Sequence, residues 1–413
     1  MKAEPEFGGD GIGHRAVSFS SRSGVAQDST RIVILVWLSI SHGLHDLIAS
    51  LVTAVYPLLK TSFALDFGQI GLITLAAQLT ASLLQPLVGL YTDRKPSPYF
   101  LPVGMGFTLC GLLLLSAAPS FMALVAAASL IGMGSSVFHP EASRVARVAS
   151  GGRHGFAQSL FQVGGAGGAA IGPLTAALIV APFGRGSLAW FAIAPLCSLV
   201  ILTLIGQWHK GRIAAQAIPN QKTKPNQTAR RSVAGPMLIL LALIFSKYFY
   251  LAVLSNYYTF YLIDKFQIPV QTAQILLFVF LGASACGTFL GGPIGDRFGR
   301  RAVILFSIVG ALPFTLAMPY ANLFFTVVLS IAIGLILSSA FAAILVYATE
   351  LTPDRVGTVA GLFFGLAFGT SALGAAALGH LVDVTSIGFV YRLCSMLPAL
   401  GLLAYFLPRR AGP

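Results

Sequence analysis

Two short loops decide how this chain folds: Gly89-Leu90-Tyr91-Thr92-Asp93-Arg94-Lys95 and Gly292-Pro293-Ile294-Gly295-Asp296-Arg297-Phe298-Gly299-Arg300-Arg301. Both read Gly-x-x-x-Asp-Arg, and their aspartates lie 203 residues apart. Each loop sits between two long apolar runs. A second pair keeps nearly the same period, since Gly155 and Gly357 each open an apolar run 202 residues apart. Small residues then recur at fourfold spacing, as Gly164, Gly168 and Gly172 in one run and Gly361, Gly365 and Gly369 in the other. Glycines four apart share a helix face and let backbones approach closely. Any single one is consistent with plain packing. Two aligned motifs in matching loops imply a duplicated unit, which is a transporter architecture.

The units are membrane bundles. Of 413 residues, 56% are hydrophobic and 9% charged, with mean hydropathy +0.82. A soluble domain carries about 25% charged residues. A spanning helix needs about 20 mainly apolar residues. Such runs occur near 32–59, 69–92, 99–118, 121–143, 155–181 and 187–207, then near 235–263, 271–295, 302–320, 323–350, 356–382 and 386–408. The sequence therefore predicts an all-α membrane protein of twelve transmembrane helices in two six-helix bundles, 31–207 and 234–408. A basic linker, 208–233, joins them on the cytoplasmic side. Residues 1–30 are polar, rich in Gly and Ser, and read as a flexible cytoplasmic tail.

The formal net charge is +13, and its distribution reports topology. Arg94, Lys95, Arg144, Arg147, Arg153, the linker, Arg297, Arg300, Arg301, Arg355, Arg409 and Arg410 all fall on one side of the expected bilayer. Little more than Lys60, Arg185 and Lys265 falls on the other. The positive-inside bias then places both termini in the cytoplasm, and no nucleic-acid partner is expected. Cys110, Cys197, Cys286 and Cys394 all lie in apolar runs and read as small hydrophobes. Neither cysteine nor histidine spacing suggests a metal site.

Several polar groups stand at membrane depth. Asp46 is near the middle of the first span, where a charge costs about 2.5–3.5 kcal/mol on insertion scales. Ser39, His42, Asp46, Ser50 and Thr53 form one helical stripe, with His42 four residues from Asp46 and His45 flanking it. The functional reading of Asp46, His42 and His45 is a proton-coupling site. The alternative has Asp46 paired permanently with a histidine as a helix lock. Lys247, Tyr250, Leu254, Tyr257 and Tyr261 share a face of the seventh span. A lysine suits an anionic substrate and tyrosines supply hydroxyl donors, so Lys247, Tyr250 and Tyr257 are candidate substrate contacts. Alternatively Lys247 snorkels to the headgroups and Tyr261 joins an interfacial belt. His139 and Gln162 read as part of a polar path through the fourth and fifth spans. Glu141 and Arg144 read as a gate or as a helix-end salt bridge. Asp93, Arg94, Asp296, Arg297 and Arg301 are too far from the midplane to touch cargo, and read as a charge-pair latch between the halves.

The Gly-x-x-x-Asp-Arg-x-Gly-Arg-Arg loop resembles the signature of the major facilitator superfamily, although Lys95-Pro96-Ser97 replaces the end of the first copy. Gly168-x-x-x-Gly172-Pro173 resembles the fifth-span motif of its proton-coupled antiporters, with Ala176 and Ala177 in place of the trailing glycines. His42-Gly43-Leu44-His45-Asp46, Ser82-Leu83-Leu84-Gln85-Pro86-Leu87-Val88-Gly89, Phe138-His139-Pro140-Glu141 and Gln158-Ser159-Leu160-Phe161-Gln162-Val163-Gly164-Gly165 resemble the bacterial fosmidomycin resistance family. The resemblance implies the major facilitator fold and a multi-pass protein of the bacterial inner membrane that works as a monomer. It also implies alternating-access export of a small anionic phosphonate antibiotic by proton antiport.

An importer or exchanger of an organic or sugar phosphate is the alternative on the same fold. A membrane enzyme or receptor is disfavoured, because no nucleophile–base constellation, phosphate-cradling loop or sizeable soluble region is legible. The expected partners are the anion, protons and the lipid bilayer, with no cofactor. No nucleotide-binding region is legible either, and one proton crossing 100 mV supplies about 2.3 kcal/mol.

Overall fold

The computed structural model describes residues 30–217 and 233–408. Among them are twelve helices long and apolar enough to cross a membrane. The first half holds α1 (Ile32–Ala54), α2 (Gln69–Arg94), α3 (Phe100–Ala117), α4 (Phe121–Ala149), α5 (His154–Phe183) and α6 (Arg185–Ile213). The second holds α7 (Ala234–Phe266), α8 (Thr272–Phe298), α9 (Arg300–Tyr320), α10 (Leu323–Leu351), α11 (Pro353–Val384) and α12 (Ile387–Phe406). The fold is thus the expected all-α, twelve-helix membrane architecture.

Local sequence sets the helix ends. Asp66 and Gln69 form a reciprocal capping box before α2 (2.7 and 3.0 Å). Ser120, Asn322 and Ser386 cap α4, α10 and α12 through their side-chain oxygens. The sixth span runs past 207, where the sequence reading ends the first bundle. Its helix continues to Ala217, because no proline interrupts residues 208–217. Residues 1–29 of the expected tail and 218–232 of the expected linker lie outside the described residues.

Both ends of the described chain lie on one side of the bundle. Thr30 donates to the Ser150 carbonyl (2.8 Å), and Tyr347 donates to the Pro408 carbonyl (2.8 Å). Arg147 links these two corners by donating to the Thr349 hydroxyl (2.9 Å). On this chain-end side the halves are pressed together, α2 against α11 and α5 against α8.

The two repeated loops make that closure, in a crossed arrangement. The Asp93 carboxylate accepts from the backbone N–H groups of Gly357 (2.8 Å) and Thr358 (2.7 Å), and from the Thr358 hydroxyl (2.7 Å). The Asp296 carboxylate accepts from the N–H groups of Gly155 (2.9 Å) and Phe156 (2.7 Å). Each aspartate therefore caps a helix that belongs to the other half. The N–H groups there have no partner within their own helix and carry the positive end of its dipole. Glycine is needed at the crossings, since a Cβ on Gly89 would collide with the Gly357 carbonyl and one on Gly292 with the Gly155 carbonyl.

This geometry corrects the expectation of a charge-pair latch. Across the interface, Asp93 and Asp296 bond to backbone N–H groups and, for Asp93, the Thr358 hydroxyl, and not to an arginine. Arg94 and Arg297 are exposed, with Arg297 lying over Phe298. Arg301 donates to the Tyr405 carbonyl (2.5 Å). The basic partner of the second loop is Arg300, which pairs with Asp296 (2.6 Å) and Glu350 (3.5 Å) inside its own half. Glu141 and Arg144 also pair within one half (2.6 Å), and Arg144 donates to the Thr92 carbonyl (3.0 Å) beside Asp93.

A carboxylate cap contributes about 0.5–2 kcal/mol, against about 0–1 for a solvated ion pair. Two caps can bias a two-state equilibrium without locking it. Asp93→Ala should lower the closed-to-open ratio about fivefold, corresponding to a loss of about 1 kcal/mol. Spin labels at Lys95 and Asp354, both exposed, should then report longer distances; an unchanged distribution would contradict the capping role.

Candidate functional site

The chain-end side is closed, and a cavity of about 200 Å³ opens between the helices toward the other side. Asp46, Ser50, Thr53 and Tyr56 line it from the α1 region, Thr74 and Gln78 from α2, Ser135 and His139 from α4, and Phe368 from α11. Asp46 lies at its inner end and is 21% exposed.

Asp46 is the centre of a buried cluster. Its Oδ2 lies 3.3 Å from His42 Nε2 and its Oδ1 lies 3.7 Å from His139 Nε2. The two imidazole Nε2 atoms are 3.2 Å apart. The pair on α1 follows from one helical turn, whereas His139 arrives from α4. The site is tight: a Cβ on Gly165 of α5 would overlap His42 Nε2 and Asp46 Oδ2. His42 is also stacked on Phe161 of α5 (4.1 Å between centroids).

Hydrogen bonding favours one tautomer of each imidazole, although the Ser135 hydroxyl also lies 3.2 Å from His139 Nδ1. His42 Nδ1 lies 2.7 Å from the Phe161 carbonyl, and His139 Nδ1 lies 2.9 Å from the Ser135 carbonyl. A carbonyl oxygen only accepts, so both Nδ1 atoms carry hydrogen. A neutral imidazole then offers a lone pair at Nε2. Two such lone pairs and a carboxylate face one point, and they repel unless a hydrogen sits among them. The arrangement accordingly calls for at least one further proton. The sequence spacing predicted no metal site, yet the fold brings donor atoms of His42, Asp46 and His139 within 4.8 Å of one another. This set meets the geometric demand for a cation. The 3.2 Å separation of the nitrogens is a hydrogen-bond length, which one proton between them satisfies.

The remaining expected site residues are divided. His45 turns away from Asp46: its Nδ1 lies 3.2 Å from the Thr108 hydroxyl, and its ring stacks on Phe138. His139, expected on a substrate path, belongs instead with Asp46. Gln162 is half-buried on α5 and does not line the cavity. Lys247 and Tyr250 are buried inside the second half and do not line it either. Tyr257 meets α11 at Gly379. Tyr261 is not in an interfacial belt: it stacks on Tyr391 (3.9 Å) and donates to the Met318 carbonyl (3.3 Å). Helical periodicity grouped these tyrosines, but it could not tell that Tyr257 turns to α11 while Tyr261 turns to α9 and α12. Gln78 and Phe368 were not singled out by the sequence reading. Gln78, a polar residue deep in an apolar run, carried a usable signal; Phe368 carried none.

A duplicated twelve-helix bundle with an ionisable cluster at the end of a one-sided cavity is the architecture of a membrane transporter. The family model described as Major Facilitator Superfamily matches residues 38–263 and 237–413. The chain is 56% identical to the fosmidomycin resistance protein of Escherichia coli (strain K12), over 92% of this chain and 93% of that protein. It is 41% identical to the uncharacterized MFS-type transporter YfnC of Bacillus subtilis (strain 168), over 91% and 92%. Solved structures share the fold: the E. coli fucose:proton symporter FucP at TM-score 0.67 (14% identity, covering 92% of this chain and 100% of that one) and the human organic anion transporter MFSD10 at 0.69 (16% identity, covering 91% and 99%). The chain belongs to the major facilitator superfamily, within its fosmidomycin resistance family. It is a multi-pass inner-membrane transporter and not an enzyme.

The tautomer assignment is directly measurable. In nitrogen-15 spectra of the histidine-labelled protein, both His42 and His139 should show a protonated Nδ1. A neutral ring protonated only at Nε2, in either residue, would contradict the hydrogen-bond pattern.

Proposed function

We propose that the protein exports a small anionic antibiotic of the fosmidomycin-like phosphonate class in exchange for protons, by alternating access. The observation that carries this reading is the His42–Asp46–His139 cluster, open to one side while Asp93 and Asp296 hold the other side shut. The name of the E. coli relative supports the phosphonate class and the direction. The positive-inside bias of the loops makes the closed, chain-end side cytoplasmic, with both termini there. The open cavity then faces the side from which protons enter down the gradient.

Protons reach the cluster through that cavity. Asp46 and its two imidazoles take one up, and the site becomes less negative by one charge. His139 couples this event to the second half, since its ring contacts Phe364 (5.2 Å) and Phe368 (5.0 Å) of α11. A change in the cluster is therefore felt across the interface that must part when the cavity changes sides. An importer or exchanger of an organic or sugar phosphate would use the same geometry, and differs from this reading in direction.

Everted membrane vesicles test both points. With an imposed gradient, acid inside, wild-type vesicles should accumulate labelled fosmidomycin. Asp46→Asn keeps the side-chain shape but cannot cycle a proton, and should abolish uphill accumulation while leaving downhill exchange. Undiminished uphill transport by that variant would remove Asp46 as the proton carrier. Accumulation only in right-side-out vesicles would favour the importer.

A further inference from the structure

Lys247 is 2% exposed, within the second half. An ammonium group has three donors. Its Nζ makes one hydrogen bond, to the Ser338 carbonyl of α10 at 3.3 Å. The rings of Tyr248 (5.0 Å) and Phe341 (5.4 Å) flank it, and among the described residues no carboxylate pairs with it. A buried cation with donors to spare is costly to the fold. In this arrangement it lacks the partner its chemistry calls for, which is an anion.

What separates it from the proton cluster is a short stack of rings. Phe341 of α10 meets Phe364 of α11 edge to face (5.1 Å), and Phe364 meets His139 (5.2 Å). Phe364 also approaches Phe161 (6.4 Å). The stack is thus built from both halves: Phe341 and Phe364 come from the second, His139 and Phe161 from the first. When the halves part on the chain-end side, Phe341 and Phe364 lose the cover that His139 and Phe161 provide.

We propose that Lys247 is the cationic group of an anion site that is exposed only in the opposite arrangement, and that the Phe341–Phe364 pair withdraws it from the cavity in this one. The ligand class is a small phosphonate or phosphate monoester, whose charged oxygens accept the donors that Ser338 leaves free. The proposal rests on the exchange reading above and deepens it. If proton and anion shared one charge-balanced cavity, protonation of Asp46 would favour anion binding, the reverse of what antiport needs. Placed on opposite sides of an aromatic pair, the two sites are uncovered in turn. In the present arrangement no lysine lines the cavity to hold an anion there, so an anion leaves. In the other, the amine is uncovered and an anion enters.

Binding to the full-length protein in nanodiscs tests this, with fosmidomycin and inorganic phosphate as separate probes. Asp93→Ala with Asp296→Ala, which loosens the chain-end side, should tighten binding of at least one probe about tenfold, because apparent affinity rises with the share of molecules in the arrangement that can bind. Adding Lys247→Gln should return affinity to the wild-type value, and adding Lys247→Arg should keep most of the gain. Phe364→Ala in the otherwise wild-type chain should also tighten binding, by uncovering the amine. The proposal is overturned if the loosened chain with Lys247→Gln binds as tightly as the loosened chain alone, or if neither probe gains affinity on loosening. A gain for phosphate alone sustains the site and removes the phosphonate class. Because these are equilibrium measurements, a failure of proton coupling in Asp46→Asn vesicles leaves them standing, and the converse also holds.

Discussion

The fold depends on one interaction used twice: a loop carboxylate of one half bonded to the free N–H groups at the start of a helix in the other. Asp93 does this for α11 and Asp296 for α5. The duplication makes the two contacts equivalent, and the crossing makes them act on the interface and not within a bundle. The closely packed glycines only let the helices approach; the carboxylates set which side is shut. Caps worth about a kilocalorie each hold the seam without locking it. A fully desolvated ion pair across that seam would be harder to remake, because each charge has to be stripped of water again.

Closure on one side gives the interior its polarity. It leaves Asp46 at the end of an open cavity, and presses Phe364 against His139 and Phe341 so that Lys247 is covered. The His42–Asp46–His139 cluster belongs wholly to the first half, from α1 and α4, held against α5 by the Phe161 carbonyl. The uncompensated amine belongs wholly to the second. The aromatic contacts at the seam link them. Coupling on this account is a matter of which charge is uncovered, and needs no direct contact between proton and anion.

Much of this was legible in the sequence. Hydropathy gave the twelve spans, and the loop repeat gave the duplication. The spacing of His42 and Asp46 gave their contact, because one helical turn suffices to predict it. The third member of the cluster was harder: His139 is 93 residues from Asp46, and only the packing of α1 against α4 brings them together. The role of the loop aspartates was misread because backbone N–H groups have no letter in a sequence. Asp next to Arg suggested an ion pair, while the true partners were Gly155, Phe156, Gly357 and Thr358. The face of α7 that carries Lys247 was identified, but its burial was not. Tyr258, Tyr261 and Tyr391 pack with one another inside the second half, and no periodicity distinguishes such a core from a cavity wall.

The central claim is that anion movement and proton movement are obligatorily opposed. The most direct measurement uses sealed proteoliposomes loaded with fosmidomycin and an internal pH dye, diluted into phosphonate-free buffer with no imposed pH gradient. As the phosphonate leaves, the interior should acidify, and a protonophore should erase the signal. Phosphonate efflux through the protein with no change in internal pH would contradict the account.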